Sequence, residues 1–141
     1  MAQRLGILGY PLGHTLSPVF QQAALDACGV DARYEAWPTP PERLADVLGR
    51  LRSAEVIGFN VTVPHKEAVI PLLDSLDDWA RELGAVNTVV HRRGRLTGHN
   101  TDADGFLRAL RQEGAFAPRG ASVLVMGAGG SARAVTLSLV K

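Results

Sequence analysis

Residues 58–66 read Gly58-Phe59-Asn60-Val61-Thr62-Val63-Pro64-His65-Lys66. The alternation predicts a strand from Ile57 to Val63, with Asn60 and Thr62 on one face and Val61 and Val63 on the other. Pro64 stops the strand, and Lys66 falls on the turn beyond its end. A polar face at the carboxyl end of a strand, followed at once by a lysine, is how α/β proteins build small-molecule sites. The segment after Pro64 reads as helical. Lys66 then sits in a first turn, where the positive end of the helix dipole works against an ammonium ion. The plain alternative is a solvated surface lysine; the neighbouring Asn and Thr favour a site.

Working outward, strands and helices alternate, which is the pattern of an α/β fold. Leu5 to Gly9 reads as a buried strand and Tyr10 to His14 as a loop. Ser17-Pro18 opens a helix, with Ser17 as N-cap and Pro18 at the first helical position, and Gly29 closes it. Arg33 to Trp37 is a second strand. Pro40-Pro41-Glu42 starts a helix that runs to about Arg52. Beyond Lys66 the helical stretch is interrupted at Pro71. A short helix spans Asp77 to Leu83, with Gly84 as its stop. Ala85 to Val90 and Leu96 to His99 read as two strands joined by a tight turn at Arg93-Gly94. Asp102 to Glu113 is a helix stopped by Gly114, and 118–120 form a linker.

After the linker the character changes. Ser122 to Met126 reads as a fully apolar strand, followed by Gly127-Ala128-Gly129-Gly130-Ser131-Ala132 and a helix running to Lys141. This is the pattern of a phosphate-binding turn, with Ala132 in the third small position and the helix N-terminus facing a pyrophosphate. A glycine-rich turn that only packs a helix on a strand is the alternative. A dinucleotide fold needs two such halves, so the sequence reads as truncated. An apolar strand without partners invites pairing with another chain, so self-association or fraying is expected beyond about residue 115.

The chain has 141 residues, 46% apolar and 21% charged, as expected of an ordinary globular domain. A net charge of +1 argues against nucleic-acid binding. The single cysteine, Cys28, lies on an apolar helical stretch and is expected as a buried thiol in a reducing compartment. Met1 to Arg4 lead directly into a strand, so no signal peptide is read, and no apolar run reaches membrane-span length. A cytoplasmic location is the expectation. His14, His65, His91 and His99 lack metal-ligand spacing; they are read as surface or loop residues, and no metal is expected.

Three further polar groups stand out. Thr15 and Ser17 offer two hydroxyls near free backbone N–H groups at a helix start, a combination suited to holding a carboxylate. Asn87, early on a strand, can donate to and accept from a hydroxyl, or simply be a turn residue. Asp102 opens a helix, where the dipole stabilises its carboxylate. It is also a candidate partner for Lys66 in proton transfer.

The segments 14–18, 60–66, 84–88, 100–102 and 127–134, in this order, resemble the shikimate dehydrogenase family. The resemblance implies a substrate domain that is an αβα sandwich with a mixed, mostly parallel sheet, followed by the first βα unit of a Rossmann-type domain. The implied divisions are 1–101 for the substrate-binding domain, 102–120 for a connecting helix and linker, and 121–141 for the start of a dinucleotide-binding domain. It implies NADP-dependent reduction of 3-dehydroshikimate to shikimate in aromatic amino-acid biosynthesis. By the same resemblance Lys66 and Asp102 are the catalytic pair, and Thr15 and Ser17 bind the substrate carboxylate. Thr62 and Asn87 contact ring hydroxyls, with Asn60 nearby. Gly127, Ala128, Gly129, Gly130 and Ser131 form the cofactor phosphate turn, and Asp78 matches a position that some members place near the cofactor. The expected partner is a small molecule, with no nucleic acid and no membrane; a homo-oligomer is left open. One departure is Thr15, where the family usually has serine. It keeps in view a quinate/shikimate dehydrogenase; the absence of the family's remaining cofactor-domain residues keeps in view an inactive substrate-binding fragment. A methylenetetrahydrofolate-type dehydrogenase is the other two-domain alternative, and the Thr15/Ser17 loop argues against it.

Overall fold

The computed structural model describes residues 3–53 and 55–140. Met1 and the expected helix end at Lys141 lie outside them. Six strands form one sheet: β1 (Gln3–Gly9), β2 (Ala32–Pro38), β3 (Val56–Val61), β4 (Ser75–Leu76), β5 (Thr88–Arg92) and β6 (Arg95–His99), in the order β2-β1-β3-β5-β6-β4. The pairings β1–β2, β1–β3 and β4–β6 are parallel, while β3–β5 and β5–β6 are antiparallel. The sheet is therefore mixed, as the family resemblance implied. The helices are α1 (Ser17–Ala27), α2 (Leu44–Leu51), α3 (His65–Ala68), α4 (Asp78–Leu83), α5 (Asp102–Gln112) and α6 (Gly130–Val140).

Side-chain alternation divides the sheet into two faces. Phe59, Val61 and Val89 point to the face covered by Leu44, Leu48 and Leu51 of α2, and with Leu8, Leu96 and Val86 they form the main core. Leu8 and Leu96 are fully buried, each worth on the order of 2 kcal/mol of transfer free energy. The opposite face carries Tyr34 and Asn60. There α1 is tied to β2 through Gln22, whose Oε1 accepts from the Tyr34 amide at 2.8 Å. At the β5–β6 tip, Arg93 and Gly94 both take positive φ (51° and 79°), the two-residue turn that matches strand twist.

Several local expectations are corrected. The first helix is capped at Leu16 rather than Ser17, and Thr15 Oγ1 accepts from the Ser17 amide at 3.3 Å. The third strand ends at Val61, not Val63. The Thr62 amide still reaches the Leu8 carbonyl at 2.9 Å, but Val63 turns outward and is 71% exposed. The helix after Pro64 is a single turn of four residues, too short for a macrodipole to bear on Lys66. Cys28 is exposed, since α1 buries none of its residues. Two histidines read as surface residues are buried. His65 bonds the Thr39 carbonyl through Nε2 at 2.7 Å, and His91 shares the inward face of β5 with Val89 and bonds the Val56 carbonyl.

Residues 122–126 form no strand. Apolar character alone does not make one, because a strand exists by its ladder of hydrogen bonds. Val123, Leu124 and Met126 are exposed. The helix beyond does form and packs: Ala134 joins Leu83 and Ala103 in a second cluster, flanked by Trp79 and Leu137.

Arg52, just past α2, closes the core's lower edge. Its guanidinium meets Asp74 Oδ2 at 2.7 Å and the Gly94 carbonyl at 2.8 Å, and Asp74 Oδ2 also accepts from the Leu96 amide at 2.7 Å. The Arg52 hydrogen bond, then the Leu96 amide, hold the Asp74 carboxyl below its ordinary value; Arg4, then Trp37, do the same for Glu35. Folded values that lie below the unfolded ones give stability that is complete above the ordinary carboxylate range. That stability is lost as pH falls through the lowered values. Urea midpoints measured across acid pH are therefore expected to fall less steeply in Asp74→Asn than in the parent chain.

Candidate active site

Four backbone contacts draw the strand ends together before any side chain is considered. The Val86 amide bonds the Lys66 carbonyl at 2.7 Å, and the Asn87 amide bonds the His99 carbonyl at 3.1 Å. The Val61 amide bonds the Asn87 carbonyl at 2.8 Å, and the Tyr10 amide bonds the Val63 carbonyl at 3.0 Å. The loop after β1, the turn after β3, the approach to β5 and the start of α5 thus share one end of the sheet.

On this frame Lys66 Nζ donates to Asp102 Oδ2 at 2.6 Å, although 36 positions separate them. Both groups are largely sheltered, with side-chain exposures of 17% and 31%. Asn87 lies immediately before β5, where its Nδ2 donates to Asp102 Oδ1 at 2.7 Å and to Thr101 Oγ1 at 2.9 Å. The carboxylate thus has one oxygen held by an ammonium and the other by an amide. Buried Asn100 completes the support: its Nδ2 donates to the Ala85 carbonyl at 2.9 Å, and its Oδ1 accepts from the Asp102 amide at 3.0 Å. The sequence motif gave Asn100 no role of its own, and its burial is the signal that assigns one.

Two cavities adjoin here. One, of about 420 Å³, is lined by Ile7, Leu12, His14, Thr15, Ser17 and Thr62. The other, of about 480 Å³, is lined by Thr62, Lys66, Glu67, Gly127, Gly129, Gly130 and Ser131. Thr62 and Val63 belong to both, so the hydroxyl-bearing loop and the glycine turn lie on either side of one strand end. Lys66 Nζ also reaches Ser131 Oγ at 3.3 Å. Asn60 sits one register step inward, its Oδ1 accepting from Tyr34 Oη at 2.6 Å and its Nδ2 donating to Thr88 Oγ1 at 3.2 Å. Ala128 faces a third cavity of about 480 Å³, between α4 and α6. Asp78 stands apart: its side chain is fully exposed and pairs with Arg81 at 3.0 Å.

The glycine turn suits a phosphate. A side chain added at Gly129 would meet nothing within 4 Å, and Gly127 has φ +134°. A small residue is also needed at Gly130, where a Cβ would come 3.1 Å from Ala85 Cβ and 3.4 Å from Lys66 Cδ. Open space thus lies in front of the turn that starts the eleven-residue α6.

A mixed α/β sheet with an ion pair and two cavities at its strand ends describes a small-molecule-binding module. Residues 7–89 match the family model described as "Shikimate dehydrogenase substrate binding domain", and the chain belongs to that family. The shikimate dehydrogenase (NADP(+)) of Geobacter metallireducens is 50% identical over 137 residues, which are 97% of this chain and 48% of that protein. The crystal structure of Thermus thermophilus shikimate 5-dehydrogenase in complex with NADP(H) and shikimate superposes with a TM-score of 0.91. It is 45% identical, over 98% of this chain and 52% of that one. The ligand-free 5-ketofructose reductase of Gluconobacter sp. strain CHM43 is also similar, with a TM-score of 0.86 and 37% identity over 99% of this chain and 50% of that one. The chain spans about half the length of the curated relatives it matches. Among the described residues, no helix is long and apolar enough to cross a membrane.

Thr62 is held from behind by Gly9. A Cβ added there would collide with Thr62 Cγ2 and lie 2.9 Å from the Val63 carbonyl. Gly9→Ala is expected to lower stability by about 1–3 kcal/mol in urea denaturation, through overpacking. Gly13→Ala, in the loop that follows β1 and with nothing within 4 Å of the added atom, serves as the tolerant comparison.

Proposed function

We propose that this chain carries the substrate site and catalytic pair of an NADP-dependent shikimate dehydrogenase, which reduces 3-dehydroshikimate to shikimate. The observation that supports it most is the Lys66–Asp102 contact at 2.6 Å, beside cavities that join a hydroxyl-bearing loop to a glycine turn.

The substrate is a cyclic carboxylate with ring hydroxyls and one ketone. Thr15 and Ser17 are the hydroxyl donors for the carboxylate in their cavity, and Thr62 at its rim reaches a ring hydroxyl. Asn87 holds Asp102 with one amide hydrogen and Thr101 Oγ1 with the other, so a second ring hydroxyl takes its place beside Asn87 by displacing the Thr101 contact. Gly127 to Ser131 and the start of α6 would hold the phosphates of NADPH, the reduced cofactor, which supplies the hydride when bound and leaves as NADP⁺. Hydride arrival at a ketone builds negative charge on its oxygen. Lys66 stabilises that charge and gives a proton from Nζ to the ketone oxygen; Asp102 keeps the ammonium aimed, and the neutral amine regains its proton from solvent after turnover.

The ordinary solvated role for Lys66 predicts little loss on substitution. The catalytic role predicts that Lys66→Ala lowers kcat by on the order of 10²–10⁴-fold, with a much smaller change in KM. The assay follows nicotinamide absorbance with shikimate and NADP⁺, on protein expressed from the complete coding sequence. Equal losses in kcat and affinity would count against the acid role, and an inactive parent protein would leave only a binding module.

A second reading concerns the substrate. Thr15 adds a methyl group and a stiffer χ1 where the family usually has serine, and a reductase of 5-ketofructose shares this fold at 37% identity. A panel of shikimate, quinate and open-chain hydroxyketones separates the two; a higher kcat/KM for anything but shikimate would replace the first reading.

A further inference from the structure

The hydrogen bonds behind Asp102 form one continuous chain with a single direction. Asn87 fixes it. Asn87 Oδ1 accepts from the Thr101 backbone amide at 3.0 Å, a group that can only donate, and its Nδ2 faces a carboxylate, which can only accept when ionised. The Thr88 hydroxyl lies 3.0 Å from Asn87 Oδ1 and must donate to it. Its oxygen then accepts from Asn60 Nδ2 at 3.2 Å, and the same Nδ2 lies 3.4 Å from the Asn87 carbonyl. That leaves Asn60 Oδ1 toward Tyr34, whose hydroxyl donates at 2.6 Å. Each donor along Tyr34, Asn60, Thr88 and Asn87 therefore points toward Asp102. No amide in the chain can turn over without setting donor against donor or acceptor against acceptor.

We propose that Tyr34 and Thr88, which face neither cavity, are positioning residues that lock the Asn60 and Asn87 amides and through them the orientation of Asp102 against Lys66. Three observations fit the arrangement. Asn60 lies opposite Thr88 in the β3–β5 register, so the link crosses the ladder at its shortest span. Tyr34 is 7% exposed and reaches Asn60 from β2, across the intervening β1. Burial also pushes the Tyr34 phenol up to about 12, so it remains a donor across the working range. Aligned hydrogen bonds polarise one another, and the effect sums at the terminal carboxylate.

The test uses Tyr34→Phe, Thr88→Val and Thr88→Ser, each close in shape to the native residue, with thermal melts confirming the fold. The first readout is independent of turnover: the side-chain amide resonances of Asn87 in ¹⁵N-labelled chain. They are expected to move in Tyr34→Phe and Thr88→Val and to stay near their native position in Thr88→Ser, which keeps the hydroxyl. The second readout rests on the dehydrogenase reading. There Tyr34→Phe and Thr88→Val are expected to lower kcat about tenfold while KM changes little, the loss of one hydrogen bond to a polarised network. Rescue by Thr88→Ser is expected in both. Unmoved Asn87 resonances in Thr88→Val would overturn the proposal. So would a Thr88→Ser chain as impaired as Thr88→Val, or a rise in KM at constant kcat. Moved resonances in a protein that turns over no shikimate would support the positioning chain and defeat the dehydrogenase reading instead.

Discussion

Strand register is the constraint on which the site depends. Asn60 on β3 lies opposite Thr88 on β5, and Thr88 lies opposite His99 on β6. With that alignment fixed, the residues just past each strand end arrive together: Lys66 after β3, Asn87 before β5, and Asp102 after β6. A slip by one residue would turn Asn60 and Thr88 to the α2 face and bring Phe59 and Val89 out of the core. The hydrophobic face thus enforces the geometry of the polar one. Leu8, Phe59, Val61, Val89 and Leu96 can be buried together in one register only, and that register aligns the side chains of the site.

The electrostatics follow from burial on one side and solvent on the other. Lys66 and Asp102 are sheltered enough for their attraction to exceed that of a surface pair, and open enough that neither ion is stranded. The carboxylate is held from two sides, its charge matched by the ammonium at one oxygen and its other oxygen hydrogen-bonded by Asn87. Asn100 is buried with its side-chain donor and acceptor both engaged, which is the condition for a polar cluster to stiffen a site rather than weaken it. The glycine turn meets this cluster through Ser131, so whatever binds there lies within reach of Lys66.

Much of this was legible in the residues. Strands were read close to where β1, β2, β3, β5 and β6 stand, β3 from its alternation, β1 from its apolar run and the β5–β6 pair from the turn at Arg93-Gly94. Asp77 and Gly84 bracket α4 as read: the Asp77 carboxylate accepts from the Ala80 amide at 2.6 Å and Gly84 takes φ 60°. The two-residue strand β4 was missed because it is too short for any period to register. Residues 122–126 were misread as a strand because apolar composition reports a wish for burial, not a partner for the ladder. His65 and His91 were misread because a histidine's burial depends on a carbonyl brought from a distant segment. Cys28 erred the other way: α1 lies on the sheet through Gln22, leaving the end of the helix in solvent.

The sequence by itself determined which chemical groups were available and on which element each would stand. A lysine after a strand, an acid at a helix start, two hydroxyls in a loop and a glycine-rich turn are local facts, set by propensity and spacing. Only the tertiary structure decided that Lys66 and Asp102 touch, that Thr62 borders both cavities, and that Tyr34 is bound to Asn60 across an intervening strand. Those are distances between segments far apart in the chain, fixed by the burial and register of the whole sheet, and no short window of residues contains them.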